Sequence, residues 1–218
     1  ESMLSQTLDD VEFIFVDDCT NDGSINVLQR IIDAHPKRKR QVRILRHEVN
    51  RGLPAARNTG LSEANGDFVF HWDSDDYANA EMLEEMYNTA LRFHADIVWT
   101  DWYLTFASKE RRMVQPSYDT PLDAIKGMLG GNMKYNVWNK LVRRNLYDGV
   151  RFPEGYGMGE DLTMILVFSK AKKVVHLPQA FCHYLKINAD AFSNQVKPEH
   201  FKSLMRNIEW VSCEIRKK

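Results

Sequence analysis

Asp67-Phe68-Val69-Phe70-His71-Trp72-Asp73-Ser74-Asp75-Asp76 sets a short β-rich run against three carboxylates in four positions. An apolar run bounded by turn residues reads as a strand covered on both faces, and in open α/β sheets the carboxyl ends of such strands face the ligand crevice. Crowding three carboxylates there costs about 1 kcal/mol per close pair even in water, and more in a cleft. A cation would neutralise them. Mg²⁺ and Mn²⁺ take oxygen ligands, and Mg²⁺ characteristically uses one or two carboxylates plus substrate phosphates. The competing reading is an acidic turn that caps a helix starting near Ala80-Glu81-Met82, since Asp is common in turns and at helix starts.

The neighbouring sequence repeats the theme. Residues 11–16 form a continuous β-rich run, and Asp22-Gly23-Ser24 opens a helical stretch with Ile25, Leu28, Ile31 and Ile32 near helical spacing. Residues 42–45 read as the next strand. Gly52-Leu53-Pro54 starts a helix, with Pro54 in a first turn where its missing N–H costs little. Gly66 ends it, residues 67–72 are a third strand, 82–93 a helix and 95–104 a fourth strand. This βαβα order predicts a parallel sheet with helices on both faces. Asp17-Asp18 and Asp73 to Asp76 both fall at strand ends, so two acidic clusters should converge on one crevice.

The second half is less regular. Residues 122–129 read as helix, Gly130-Gly131-Asn132 as a break, and 137–142 as strand. Gly155-Tyr156-Gly157-Met158-Gly159 reads as a flexible loop and 160–171 as helix. Two further strands are expected at 173–176 and 180–185, with a closing helix from Pro198. Residues 1–8 look like the end of a helix. No repeat or low-complexity linker divides the chain, so 1–218 is read as one domain. Its more regular first half runs to about residue 105.

The 218 residues carry a formal charge of −1, which excludes a global field for nucleic acid or anionic membrane. The cluster Lys37-Arg38-Lys39-Arg40 with Arg43 and Arg46 is either a solvated loop or a docking patch for an anionic surface. Cys19, Cys182 and Cys213 have neither disulfide nor zinc spacing, which suits a reducing compartment. Without a span of about 18 apolar residues or a signal peptide, the chain reads as cytoplasmic.

Three further stretches carry chemistry. Asp18, followed by small polar residues, can accept the imide N–H of a uracil ring. Arg57, one turn into its helix, can reach a nucleotide through its rigid donor fork, or else is a surface arginine. Asp161, just beyond the glycine loop, suits general-base work on a hydroxyl, or else simply occupies an acidic first turn.

Val16-Asp17-Asp18 with Asp22-Gly23-Ser24, Asn50-Arg51-Gly52 with Ala56-Arg57-Asn58, Asp73-Ser74-Asp75-Asp76, and Gly159-Glu160-Asp161 occur in this order. Together they resemble the bacterial family 2 glycosyltransferases, inverting enzymes with a GT-A (Rossmann-like) mixed α/β sheet flanked by helices. Ser5-Gln6-Thr7, Val137-Trp138-Asn139-Lys140-Leu141, Arg151-Phe152-Pro153-Glu154-Gly155 and His183-Tyr184-Leu185-Lys186 agree.

The resemblance implies transfer of a sugar from a nucleotide sugar, expected to be a UDP-sugar, to a glycan or lipid-linked hydroxyl in cell-surface polysaccharide synthesis. Asp18, Arg57, Asp73 and Ser74 would bind the nucleotide sugar. Asp75 and Asp73, the DxD carboxylates, would hold Mg²⁺ or Mn²⁺, with His183 either an extra ligand or a packed strand histidine. Asp161 would be the catalytic base. Peripheral contact with the inner face of the membrane is implied; nucleic acid is not. Two departures stand out: the strand that opens family members is expected to be absent, and Cys19-Thr20 replaces a more usual Gly-Ser, leaving the backbone less free. The rivals are a sugar-nucleotide pyrophosphorylase, which would want a glycine-rich loop after the first strand, and a degenerate carbohydrate-binding relative.

Overall fold

Residues 97–105 serve two apolar clusters at once. Ile97 and Trp99 enter one, and Val98, Trp102 and Leu104 enter the other. Both faces of this strand, β5 (Ile97–Thr105), are covered, which is why its sequence is so apolar. The computed structural model describes residues 1–155, 158–186 and 198–217, and β5 lies at the middle of its six-stranded sheet. Antiparallel β7 (Lys140–Arg143) pairs with the first part of β5, and antiparallel β6 (Glu110–Met113) with the last. On its other edge β8 (Val174–Leu185) runs parallel to it along the whole length. The short strands β3 (Phe68–Phe70) and β4 (Tyr77–Ala78) add antiparallel to β7 and β8. A second sheet consists of β1 (Phe13–Asp17) and β2 (Val42–Arg46), a parallel pair connected through α1 (Ser24–Ala34).

The mixed α/β sheet is as expected, but the parallel arrangement predicted for the first half is confined to β1–β2; the other parallel pair is β5–β8. The physical reason is that strict βα alternation breaks already at β3 and β4, which follow one another without a helix between them, and again after α3. β5 turns straight back into β6 through a hairpin closed by the Phe106 N–H donating to Lys109 O at 2.9 Å, and a hairpin is antiparallel by construction.

Helix α3 (Met82–Phe93) buries Met82, Leu83, Met86 and Ala90 on one face of the large sheet. The helices α4 (Pro121–Leu129), α5 (Thr163–Phe168) and α6 (Pro198–Arg216) supply the other cluster with Ala124, Met128, residues 164–168 and Val211. α2 (Leu53–Glu63) lies against β1, where a Cβ at Gly60 would make an ordinary contact with Val16 Cγ2 at 3.6 Å.

Residues 1–8 are not the end of a helix. They form turns that dock onto the start of α3, where buried Gln6 accepts the Leu83 N–H at 3.0 Å and donates to Asn79 O at 2.9 Å. The segment expected as helix 160–171 is shorter, a 3-10 turn at Glu160–Leu162 followed by α5. The two strands expected at 173–176 and 180–185 are one. β8 carries an irregularity opposite Thr100 and Asp101, where Pro178 lacks a donor for the ladder. Among the described residues no helix is long and apolar enough to cross a membrane. Tyr156 and Gly157 of the glycine loop lie outside the described residues.

Cys19 sits at φ 59°, in the left-handed region, where the resemblance leads one to expect glycine. A non-glycine residue there carries about 1–2 kcal/mol of strain. Its Sγ contact with Glu48 O, at 3.4 Å, is a weak return. Cys19→Gly should therefore raise stability by about 0.5–1 kcal/mol despite glycine's entropy in the unfolded chain. Urea denaturation should show a higher midpoint with unchanged slope; a lower midpoint would mean that the thiol contact outweighs the strain.

Candidate active site

Helix α2 connects the two acidic strand ends. Gly52, at φ 86°, starts it in a conformation suited to glycine. The Arg51 and Gly52 N–H groups donate to Asp18 Oδ1 and Oδ2 at 2.9 and 2.7 Å. His47 Nδ1 lies 2.6 Å from Asp18 Oδ1, and His47 Nε2 contacts Thr59 Oγ1 at 2.8 Å. Burial works to raise the Asp18 pKa, but hydrogen bonds from Arg51, His47 and Gly52 outweigh it and hold the carboxyl below its usual range. Of the roughly four acceptor positions of a carboxylate, three are thus used on the loop that launches α2. Room for one ligand N–H remains, on Oδ2. The adjacent Asp17 is buried and accepts the Thr20 N–H at 2.8 Å, so it shapes the turn after β1.

One turn into α2, Arg57 is not an open fork. Its side chain is 7% exposed, and its guanidinium donates to Asp73 Oδ1 at 3.1 Å, Asp161 Oδ1 at 2.5 Å and Glu160 Oε1 at 3.4 Å. The Phe152 ring lies 5.6 Å from the guanidinium carbon. Burial disfavours the Arg57 charge, but Asp161, Asp73 and Glu160 more than offset this and raise its pKa. Arg57 thereby ties the strand-end carboxylate Asp73, from the first half of the chain, to Glu160 and Asp161 from the second. Asn58 reinforces the link by donating to Phe152 O and accepting from Phe152 N, both at 2.9 Å.

Residues 73–76 form a turn, closed by the Asp76 N–H donating to Asp73 O at 3.2 Å. They do not cap α3, since β4 intervenes. Ser74 and Asp75 are exposed at its tip. Burial first, then Asp161 and Asp75, push the Asp73 pKa up against the pull of Arg57. Burial, with the charges of Asp75 and Asp73, pushes Asp76 to about 7, although its Oδ1 accepts the Leu185 N–H at 2.9 Å. Asp76 Oδ2 is buried and has no hydrogen-bond partner among the described residues.

Glu160 is likewise raised, by burial and by Asp161. One guanidinium against this many carboxylates leaves an excess of negative charge. Among the described residues no group of three or more His, Cys, Asp or Glu forms a self-sufficient metal cage. Exposed Asp75 beside Asp73, with unrelieved charge and an unpaired buried oxygen on Asp76, fits a site of one or two carboxylates completed by phosphate.

His183 does not join this set. Its Nδ1 is 2.8 Å from Glu110 Oε1 and its Nε2 3.2 Å from Asn79 Oδ1, and its ring stacks between Tyr77 and Tyr103. With both nitrogens engaged, the expectation of a third metal ligand gives way to the packed strand histidine.

Asp161 is placed by glycine chemistry. Gly159 has φ 83°, and a Cβ there would come within 2.8 Å of Leu204 Cδ1. α6 holds the preceding residue through Asn207 Nδ2, which donates to Met158 O at 2.7 Å. Other members of the site were not singled out from sequence. His71 packs edge-on against Tyr147 and Phe152, its pKa pushed down to about 3 by desolvation and by the Arg57 charge. It reads in sequence as one more residue of a β run. Glu160 was flagged only as a neighbour of Asp161, and Phe152 only as part of the stretch 151–155 that carries the family resemblance.

Removing the clamp should be costly. Arg57→Met would leave buried carboxylates unpaired, a loss of about 3–5 kcal/mol. The pH dependence follows from the raised carboxylates. A folded-state pKa above the unfolded value means stability is fullest below about pH 4 and falls as pH rises through the folded pKa. Without Arg57 those pKa values climb further, so the variant's deficit should widen between about pH 4 and pH 7 in urea melts. An equal deficit at both ends would show that Arg57 acts through packing alone.

The fold and this geometry can be set beside known proteins. A model of the family described as "Glycosyl transferase family 2" matches residues 1–159. A cholesterol galactosyltransferase of Borreliella burgdorferi is 33% identical over 186 residues, covering 78% of this chain and 51% of the relative. A poly(ribitol-phosphate) beta-glucosyltransferase of Bacillus spizizenii is 34% identical over 218 residues, covering 95% of this chain and 33% of the relative. The chain thus spans about half the length of the first and a third of the second. The crystal structure of S. aureus TarS 1-349 in complex with UDP-GlcNAc superimposes with a TM-score of 0.75 at 24% identity, over 96% of this chain and 60% of that one. The chain belongs to glycosyl transferase family 2 and has its GT-A fold.

Proposed function

We propose that this domain transfers a sugar from a UDP-sugar to a hydroxyl of a glycan or lipid-linked acceptor, with inversion, in the assembly of a cell-surface polymer or glycolipid on the cytoplasmic side. One observation carries the reading: the Arg57 clamp puts Asp73 of the DxD turn and Asp161 into one electrostatic unit. Donor and acceptor chemistry need those two carboxylates close together. The relatives named for galactosyl transfer to cholesterol and glucosyl transfer to poly(ribitol phosphate), and the neighbour holding UDP-GlcNAc, support the donor class and the hydroxyl acceptor.

Asp18 would offer its remaining acceptor position to the base, while Asp73 and Ser74 face the sugar and diphosphate. A divalent cation held by Asp75 and Asp73 would neutralise the leaving diphosphate, which the excess negative charge of the site would otherwise repel. Asp161 takes the proton of the acceptor hydroxyl as that oxygen bonds to the anomeric carbon and the bond to diphosphate breaks. Arg57 engages Asp161 Oδ1; among the described residues no donor reaches Oδ2.

The pyrophosphorylase reading lacks its glycine-rich loop, since residues 19–23 hold only Gly23. The degenerate-relative reading conflicts with the intact Asp73, Asp75 and Asp161.

Two variants test the assignment. Asp75→Asn should lower transfer at least about a hundredfold, or about 2.7 kcal/mol of barrier, and weaken UDP-sugar binding in Mn²⁺. Rates indifferent to both this change and EDTA would remove the metal from the scheme. Asp161→Asn should leave donor affinity nearly intact while turnover falls by about 10²–10⁴-fold, the usual contribution of a positioned base. Turnover within threefold of wild type, in a steady-state assay, would make Asp161 only a partner of Arg57.

A further inference from the structure

Helix α6 has two apolar faces, and the core uses one of them. Inward, Leu204, Trp210 and Val211 join the cluster beneath α5, and Asn207 holds Met158 O at 2.7 Å. Outward, Phe201 is 60% exposed and Met205 55%, with Ile208 and Ile215 exposed further along. Together with Pro198 and Ser212 these residues recur in alternating steps of three and four along the helix. A repeat of 3.5 residues makes a narrow seam that follows one helix side, the pattern into which a single partner helix packs. A helix face that meets a core or a sheet carries a wider stripe instead. Single exposed apolar residues are ordinary on a protein surface, whereas a stripe running the length of a helix marks an interaction face.

Size and charge select the partner. Two α6 helices set antiparallel, with a two-fold axis between residues 206 and 207, bring Met205 against Ile208 of the second copy and Pro198 against Ile215. In the same register Phe201, the bulkiest residue of the seam, meets Ser212, the smallest. Exposed Lys202 and Glu209 both flank the seam on the side away from the core, one position after Phe201 and Ile208. Flanking positions of this kind pair across an antiparallel seam, so Lys202 lies beside Glu209 of the second copy, and symmetry makes the pair twice. A parallel arrangement would stack Phe201 on Phe201 and Ser212 on Ser212, and would turn Glu209 toward Leu204, which the core already holds. An anionic lipid surface fits less well. Glu199, Glu209 and Glu214 balance Lys202, Arg206 and Arg216 along α6, whereas interfacial helices are rich in Lys and Arg on the polar face.

We propose that the outer stripe of α6 is the interface of a symmetric antiparallel dimer of this chain, its register set by Lys202 and Glu209 across the two-fold axis. One helix pair of this length falls at the small end of specific interfaces, so the association is reversible, with a Kd on the order of micromolar.

The test is sedimentation velocity on the full chain at about 1 to 200 µM, the range that brackets such an interface. Wild type should pass from monomer to dimer across it. Met205→Glu should remain monomeric throughout, while Leu122→Glu, at an exposed position of α4, should dimerise like wild type. Lys202→Glu and Glu209→Lys should each weaken the dimer at least tenfold, since each sets like charges together twice. The double variant restores both pairs with their signs exchanged and should return to within threefold of wild type.

Wild type that stays monomeric at the highest concentration overturns the proposal. Flotation of that monomer with phosphatidylglycerol vesicles would then give the stripe to a lipid surface. A dimer that survives Met205→Glu, or is lost in Leu122→Glu alone, moves the interface to another face and overturns it as well. Charge variants without effect, or a double variant that does not recover, overturn the antiparallel register. If circular dichroism shows that Met205→Glu does not fold, the two charge variants and their combination, all at exposed positions, decide alone.

Discussion

The burial of the Arg57 guanidinium among Asp73, Glu160 and Asp161 is the constraint on which the site depends. A charge taken this far from water is tolerated only when opposite charges and hydrogen bonds surround it. Here the surrounding groups come from a strand end some sixteen residues away and a 3-10 turn about a hundred residues away. The arginine therefore does structural and electrostatic work together. It closes the two halves of the chain on one another and opposes the burial that raises the Asp73 and Glu160 pKa values.

Around that clamp, position is set by backbone devices. Gly52 and Gly159 occupy left-handed conformations at the start of α2 and just before Glu160. At Gly159 a Cβ would lie 2.8 Å from Leu204 Cδ1, so the Leu204 side chain would have to shift to admit one. Asp18 converts the loop before α2 into a fixed ledge by accepting its N–H groups. These arrangements fix the groups of the candidate site through the backbone, the kind of preorganisation that stabilises developing charge without large movements.

A second buried polar system lies elsewhere on β5. Asp101, wholly buried, accepts from Arg112 at 3.0 and 2.8 Å and from the Gln115 N–H at 2.8 Å, and its Oδ1 lies 3.0 Å from His176 Nε2. It fastens the β6 hairpin and the irregular stretch of β8 to the central strand. The contrast with the Arg57 cluster is instructive. Asp101 is fully satisfied and structural, whereas the Asp73 to Asp76 turn keeps an unpaired oxygen and unrelieved charge.

Much of the fold was legible in local pattern. Helix 82–93 and the strand expected at 95–104, observed at 97–105, follow from side-chain pattern, and the glycine at 52 and the acidic ends at 18 and 73 follow from backbone and ligand chemistry that each residue carries alone. The ordered motifs were enough to name the family. Local pattern does not encode strand direction or pairing, so the antiparallel joins of β3, β4 and β7 came only with the tertiary structure. The same holds for the two expected strands that proved to be one irregular β8. The role of Arg57 was invisible for a related reason: a lone arginine looks like an open donor until its partners arrive from distant segments. His183 had two open readings, and only the placement of Glu110 and Asn79 chose between them. Sequence determined which chemical groups are available and where the chain must turn. Burial and long-range pairing, which depend on contacts between segments far apart in the chain, decided which of those groups are spent on structure and which stay free to act.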